Sequence, residues 1–287
     1  METNYSMSMV QNNFLLENSF TIVRKLKSIK PLIHFLYLPD SVQKMSYLNE
    51  KENNIKKSGY VILKLPSWKI NNINDTFKFM RNNKKISNLI EIISHGYEIL
   101  NLLHTNNIIH NNINSNNLVT NRYNFLYIKD FRCAIDLSRP INYHILKQGN
   151  IPFEFKILLD NKKNKVLPND NLIQKLTQNT NYFSNNQDNQ EYTKRIKKYF
   201  SEIEIEDEID FIDYLKIVDI FNFTYVMLTI IENNFVINEF IEEIKNFLFE
   251  ILCPPYCSNA LEIMYSFKDQ YINWCNQYLT KKNLLSY

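Results

Sequence analysis

At 287 residues, with 45% hydrophobic residues, the chain is long enough for one large domain or two small lobes and too apolar for wholesale disorder. Its formal charge of +3 is small for this length and argues against a dedicated nucleic-acid or membrane binder. The four cysteines form no paired C-x-x-C units, so free thiols in a reducing compartment are expected rather than a zinc site.

Two biases colour everything else. There are only 3 glycines, while about one residue in seven is asparagine. An AT-rich coding genome explains such usage, and most asparagines are read as solvent-facing filler.

Residues 1–19 are polar and carry no clear pattern. Phe20 to Ile29 alternates as a strand would, and Leu32 to Leu38 is a second apolar run. A charged loop over 49–57 leads to Tyr60–Leu65, a buried-strand pattern ended by Pro66. The first third therefore reads as a small β-rich unit. Beyond it the periodicity turns helical. Asp75 to Asn82 predicts a short helix, and Ile86 to His104 a long one with apolar residues at i, i+3 and i+4. Short strands are expected at Ile108–Ile109, Asn117–Val119 and Phe125–Lys129. Residues 160–192 read as a mobile insertion, followed by a basic run (194–200) and an acidic run (201–210). Helices are expected over 215–232, 240–252 and 260–278. The longest apolar stretch, Ile217 to Ile231, is too short to span a bilayer.

The informative segment runs from Leu103 to Val119 and on through Tyr127 to Ile135. It resembles the catalytic loop and metal-binding motif of protein kinases, where a long helix ending in Leu-His is followed by an H-R-D…N loop, a hairpin and D-F-G. On that resemblance His110 matches the loop histidine, Asn117 the metal-binding asparagine, and Asp130 with Phe131 the start of D-F-G. An amide oxygen and a carboxylate brought together by a hairpin are hard ligands suited to magnesium. Asn150–Glu154 resembles the A-P-E end of the activation segment. Asp219 resembles the aspartate at the start of the buried central helix, with a helix N-cap as its alternative role. Pro254–Glu262 resembles the run before the last helix. The resemblance covers about residues 60–279 in the family's order.

It implies an α+β, two-lobed fold: a reduced β-rich lobe over 1–66 and a mainly helical lobe over 67–287, with an insertion around 160–210. It implies ATP and magnesium as cofactors, with Leu63, Leu65 and Val119 binding nucleotide and Asn117 and Asp130 binding metal. The style of the chain is similar to kinase-like proteins of large DNA viruses.

The departures argue against both cofactors. Asn112 stands at the catalytic aspartate's position, and an amide cannot take a proton from a hydroxyl, a loss of about 10²–10⁴-fold. Asn114 replaces the loop lysine, and Arg132 the glycine of D-F-G, where it would restrict the backbone. No glycine-rich loop exists, and Lys25 or Lys27 is the nearest candidate for the β-strand lysine. Pro66 would remove a hinge donor, and Glu154 lacks its usual arginine near Asn259. The leading expectation is a pseudokinase, a cytoplasmic scaffold or allosteric regulator with a protein partner and neither membrane nor nucleic acid. The alternatives are an active, unconventional Ser/Thr kinase and a helical interaction protein without nucleotide binding.

Overall fold

A computed structural model describes residues 7–11, 14–39, 41–46, 59–64, 69–80, 82–152, 186–202 and 208–252, with helical positions 269, 272, 273, 276, 277 and 280. The chain is mixed helix and sheet, mostly helical, with short strands. It divides into two compact units, one of residues 1–79 with 101–149 and one of 80–100 with 150–287.

In the first unit, β1 (Met7–Gln11), β2 (Ser41–Ser46) and β3 (Gly59–Lys64) form an antiparallel sheet with β3 in the centre. Helix α1 (Phe14–Ser28) lies between β1 and β2 in sequence. The strand expected over 20–29 is thus a helix. Leu16, Ile22, Val23 and Leu26 are buried on one stripe, the 3.6-residue period that a local alternation of apolar and polar residues can mimic. Helix α2 (Lys30–Ile33) has Pro31 in its first turn, where the missing N–H costs nothing. It turns the chain into a parallel bridge between Leu36 and Ile128.

A second sheet orders β4 (Asn71–Asn72), β6 (Leu118–Thr120) and β7 (Leu126–Ile128) antiparallel, with β6 central. Asn72 caps α3 (Ile73–Lys78) by accepting from the Asn74 amide, and a buried Thr76–Thr120 hydroxyl bond ties α3 to β6. β5 (Ile108–Ile109) pairs with β8 (Ile135–Asp136), and α5 (Tyr143–Gln148) is capped by Asn142. Lys25 of α1 forms an ion pair with Asp136 of β8, and Asp136 also accepts from the Ser138 amide and hydroxyl. Burial pushes the Asp136 carboxyl up, but the bonds from Lys25 and Ser138 outweigh it and hold the group below its ordinary value.

Helix α4 (Asn82–Thr105) begins in the second unit and ends in the first. The second unit is organised on α7 (Glu208–Asn234), which buries Leu215, Val218, Phe221, Phe223, Met227 and Ile231. Gly96 of α4 packs so closely on it that a Cβ there would lie 1.9 Å from the Phe223 ring. Beside it the Tyr97 hydroxyl bonds Thr224. Helix α8 (Glu239–Leu252), capped by Asn238, buries Ile241, Ile244, Leu248 and Leu252. Helix α6 (Asn186–Glu202) takes in the end of the stretch expected as a mobile insertion. It is fastened by fully buried Tyr192 against Phe221 and by Arg195, which donates to Glu191 and Glu250.

Some of the asparagines are structural: among the described residues the left-handed backbone positions are Asn107, Asn111, Asn124 and Asp130, and no described glycine has positive φ. With almost no glycine available, the chain uses the residues that best tolerate that conformation.

Two outcomes follow. Gly96→Ala should lower unfolding free energy in urea by about 1–3 kcal/mol through overpacking, with Phe223→Leu in the same chain restoring part of it. Asp136→Asn should cost about 1–3 kcal/mol at pH 7, because Lys25 loses a charged acceptor. A carboxyl held low when folded contributes stability above its unfolded value of about 3.9 and loses it as pH falls through the folded value. The difference between parent and Asp136→Asn should therefore close in acid; a gap of the same size at neutral and strongly acid pH would rule out the ion pair as its source.

Candidate functional site

The site is built on the β6–β7 hairpin. Its ladder pairs Leu118 with Ile128, and one step beyond it the Lys129 amide donates to the Asn117 carbonyl. The two ends of the hairpin therefore bring the loop over 110–117 beside the turn that begins at Asp130. His110, fully buried, locks the same junction: Nε2 meets the Lys129 carbonyl at 3.0 Å. Nδ1 accepts from the Asn112 amide, so Nε2 carries the proton and donates. The imidazole also stands edge-on to Phe131, centroids 4.7 Å apart.

Within the loop, Asn112 is an acceptor already in use. Its carbonyl accepts from Asn117 Nδ2 at 2.8 Å and from Asn114 Nδ2 at 3.0 Å, and its Oδ1 accepts from Asn114 Nδ2 at 3.2 Å. Asn114 Oδ1 in turn takes the Asn116 amide. Asn117 is buried with its amide nitrogen turned into the loop.

Asp130 is left-handed, with φ 67° and ψ 71°, and caps a 3-10 turn over Phe131–Cys133. Arg132 grips its carboxylate with both arms: Nε to Oδ1 and Nη2 to Oδ2, each 2.6 Å. Burial would push the Asp130 carboxyl up, but these bonds, the arginine charge and the nearby His110 together hold it below the usual carboxylate range. Arg132 was expected to act by stiffening the backbone. The left-handed residue is instead Asp130, and Arg132 acts through its side chain.

The turn is clamped from two sides. Asn18 of α1 donates through Nδ2 to the Arg132 and Ala134 carbonyls at 2.9 and 2.8 Å. Asn111 donates to the carbonyl between them, Cys133, at 3.1 Å and to the Leu146 carbonyl at 3.2 Å. Gly149 makes room for it: a Cβ there would lie 2.0 Å from the Asn111 carbonyl oxygen. Burial pushes the Cys133 thiol up, which disfavours the thiolate.

His110, Asn112, Asn117 and Asp130 are thus brought to one place. Val119 is buried in β6, paired with Asn72 and Tyr127. Leu63 lies in β3 opposite Ser8 and Val42, while Leu65, Pro66 and Glu154 fall outside the described residues. So do Cys253, Cys257, Cys275 and the run over 254–262. Lys25 lies on a helix and pairs with Asp136. Asp219 is fully buried in the interior of α7, eleven residues from its start at Glu208, so it is not an N-cap. Three residues on, Asn222 donates to the Asn150 carbonyl. Sequence reasoning missed Asn18, Asn111 and Asp136. Asn18 and Asn111 are indistinguishable by type from the other asparagines, and Asp136 has no motif around it.

The carboxylate as placed does not suit magnesium: both Asp130 oxygens already carry an arginine hydrogen bond, whereas the bond from Asn117 to Asn112 uses the amide nitrogen and not the oxygen a metal would take. Among the described residues, no group of three or more His, Cys, Asp or Glu could hold a metal ion.

No helix among the described residues is long and apolar enough to cross a membrane. No protein-family profile matches the chain, and no curated protein does. Solved structures do match: the crystal structure of a Toxoplasma gondii specific rhoptry antigen kinase domain aligns with a TM-score of 0.51 at 11% identity, over 96% of this chain and 76% of that one. At that identity the likeness speaks of the fold alone, and the fold is kinase-like.

Proposed function

We propose that the chain is a pseudokinase: a kinase-like protein that acts as a scaffold or allosteric regulator of a protein partner and transfers no phosphate. On this reading residues 1–66 are the reduced amino-terminal lobe and 67–287 the carboxy-terminal lobe. The observation that carries it is Asn112. The residue at the proton acceptor's place is an amide, and its side-chain oxygen already accepts from Asn114. It can neither take a proton from a hydroxyl nor reorient toward one without breaking that bond. The kinase-like fold supports the ancestry. The composition and the reduced first lobe favour a viral origin, with the host cytoplasm or the virion as the place of action.

The test is radiolabelled phosphate transfer from ATP, to the chain itself and to generic protein substrates, with magnesium and with manganese. The expected result is incorporation no higher than a protein-free blank, and no gain from any added metal. Incorporation that disappears in Asp130→Ala would overturn the proposal in favour of an unconventional active kinase.

A further inference from the structure

The Asp130–Arg132 pair has a consequence for metal binding that depends on geometry rather than on catalysis. The carboxylate is mostly covered, its side chain 18% exposed, and the guanidinium is the more exposed partner at 48%. Both oxygens are engaged by two parallel charge-assisted bonds, the strongest pairing an arginine makes with a carboxylate. The arginine cannot easily swing away at its backbone. Its amide donates to Asp130 Oδ1, and its carbonyl is held by Asn18. The Asn111 and Asn18 amides then fix the next two carbonyls, those of Cys133 and Ala134.

We infer that Arg132 is a built-in counter-cation that occupies the place of a divalent metal at Asp130, so that this chain excludes the metal rather than merely failing to use it. The inference rests on reading Asp130 as the counterpart of the kinase metal carboxylate. A dication approaching Asp130 must displace two hydrogen bonds and then tolerate a guanidinium two residues away in the chain. Asn117, the other ligand of the expected pair, is a neutral amide whose nitrogen bonds its own loop, so even its oxygen cannot offset that repulsion. Removing the guanidinium should free the carboxylate while leaving the turn intact, because the clamp on the turn uses main-chain carbonyls of 132, 133 and 134.

The experiment is a titration of the full chain with Mn²⁺ alone, free ion being read by electron paramagnetic resonance. Arg132→Gln removes the charge at a half-exposed position, and a thermal melt by circular dichroism checks that it folds. Arg132→Lys keeps the charge but loses the fork. The expected order of Mn²⁺ affinity is Arg132→Gln above Arg132→Lys above the parent, with at least about a tenfold gap between the first and last. Asp130→Asn added to Arg132→Gln should abolish the gain. Equal uptake by the parent and both variants, or a gain that survives Asp130→Asn, overturns the inference. Failure here and failure of the pseudokinase reading are separable: phosphate transfer by the parent sinks the latter, whereas the Mn²⁺ titration involves no nucleotide and no turnover.

Discussion

The hydrogen bond from the Lys129 amide to the Asn117 carbonyl sets the geometry of the site. It extends the β6–β7 ladder by one step and fixes the loop before β6 against the turn after β7. A slip of one residue would turn every side chain of β6 to the other face, but the strand is buried along its whole length, so burial alone does not choose the register and the Lys129–Asn117 bond does. His110 reinforces it, since its proton must be on Nε2 to meet the Lys129 carbonyl while Nδ1 receives the Asn112 amide. The loop and the turn are thus held by the same few backbone groups.

Scarcity of glycine shapes the rest. A chain needs left-handed residues wherever a turn must reverse tightly, and glycine normally supplies them. Here Asn107, Asn111, Asn124 and Asp130 take those positions. The substitution brings side chains where glycine would bring none, and they are put to use. Asn111 reaches the carbonyls of Cys133 and Leu146, and Asn121 closes the β6–β7 turn by accepting from the Tyr123 and Phe125 amides. Two of the three glycines serve close approach instead: Gly96 under the Phe223 ring and Gly149 against the Asn111 carbonyl.

This explains what the sequence did and did not disclose. The long helix and the hairpin were legible because each rests on periodicity or spacing that survives a biased composition. α1 was misread because Phe20 to Ile29 presents local alternation, while its buried stripe begins at Leu16, in a stretch that looked featureless. The structural asparagines were illegible one by one. Composition gave every asparagine the same low prior, and only tertiary position separates Asn18 and Asn111 from those in solvent. Arg132 was visible as an anomaly at a glycine's place. Its capture of Asp130 was not, because a charge pair two residues apart meets only if the backbone turns, and the left-handed Asp130 supplies that turn.

The retained motif residues do not all testify to the same thing. His110 and Asn117 are buried and hydrogen-bonded into the loop, so losing either would strand a polar group or open a gap whatever the chemistry. Their presence is evidence of fold. Asp130 differs: its side chain caps one short turn and otherwise answers only to Arg132 among the bonds described above. A carboxylate kept at that place together with an arginine that neutralises it reads as a charge balanced within the protein, where a kinase would balance it with a metal. The loop is tied to the hairpin through the Lys129 backbone and to the left-handed turn through Asn111, and that turn is held in its place by Asn18 of α1, so packing alone accounts for the shape of the loop.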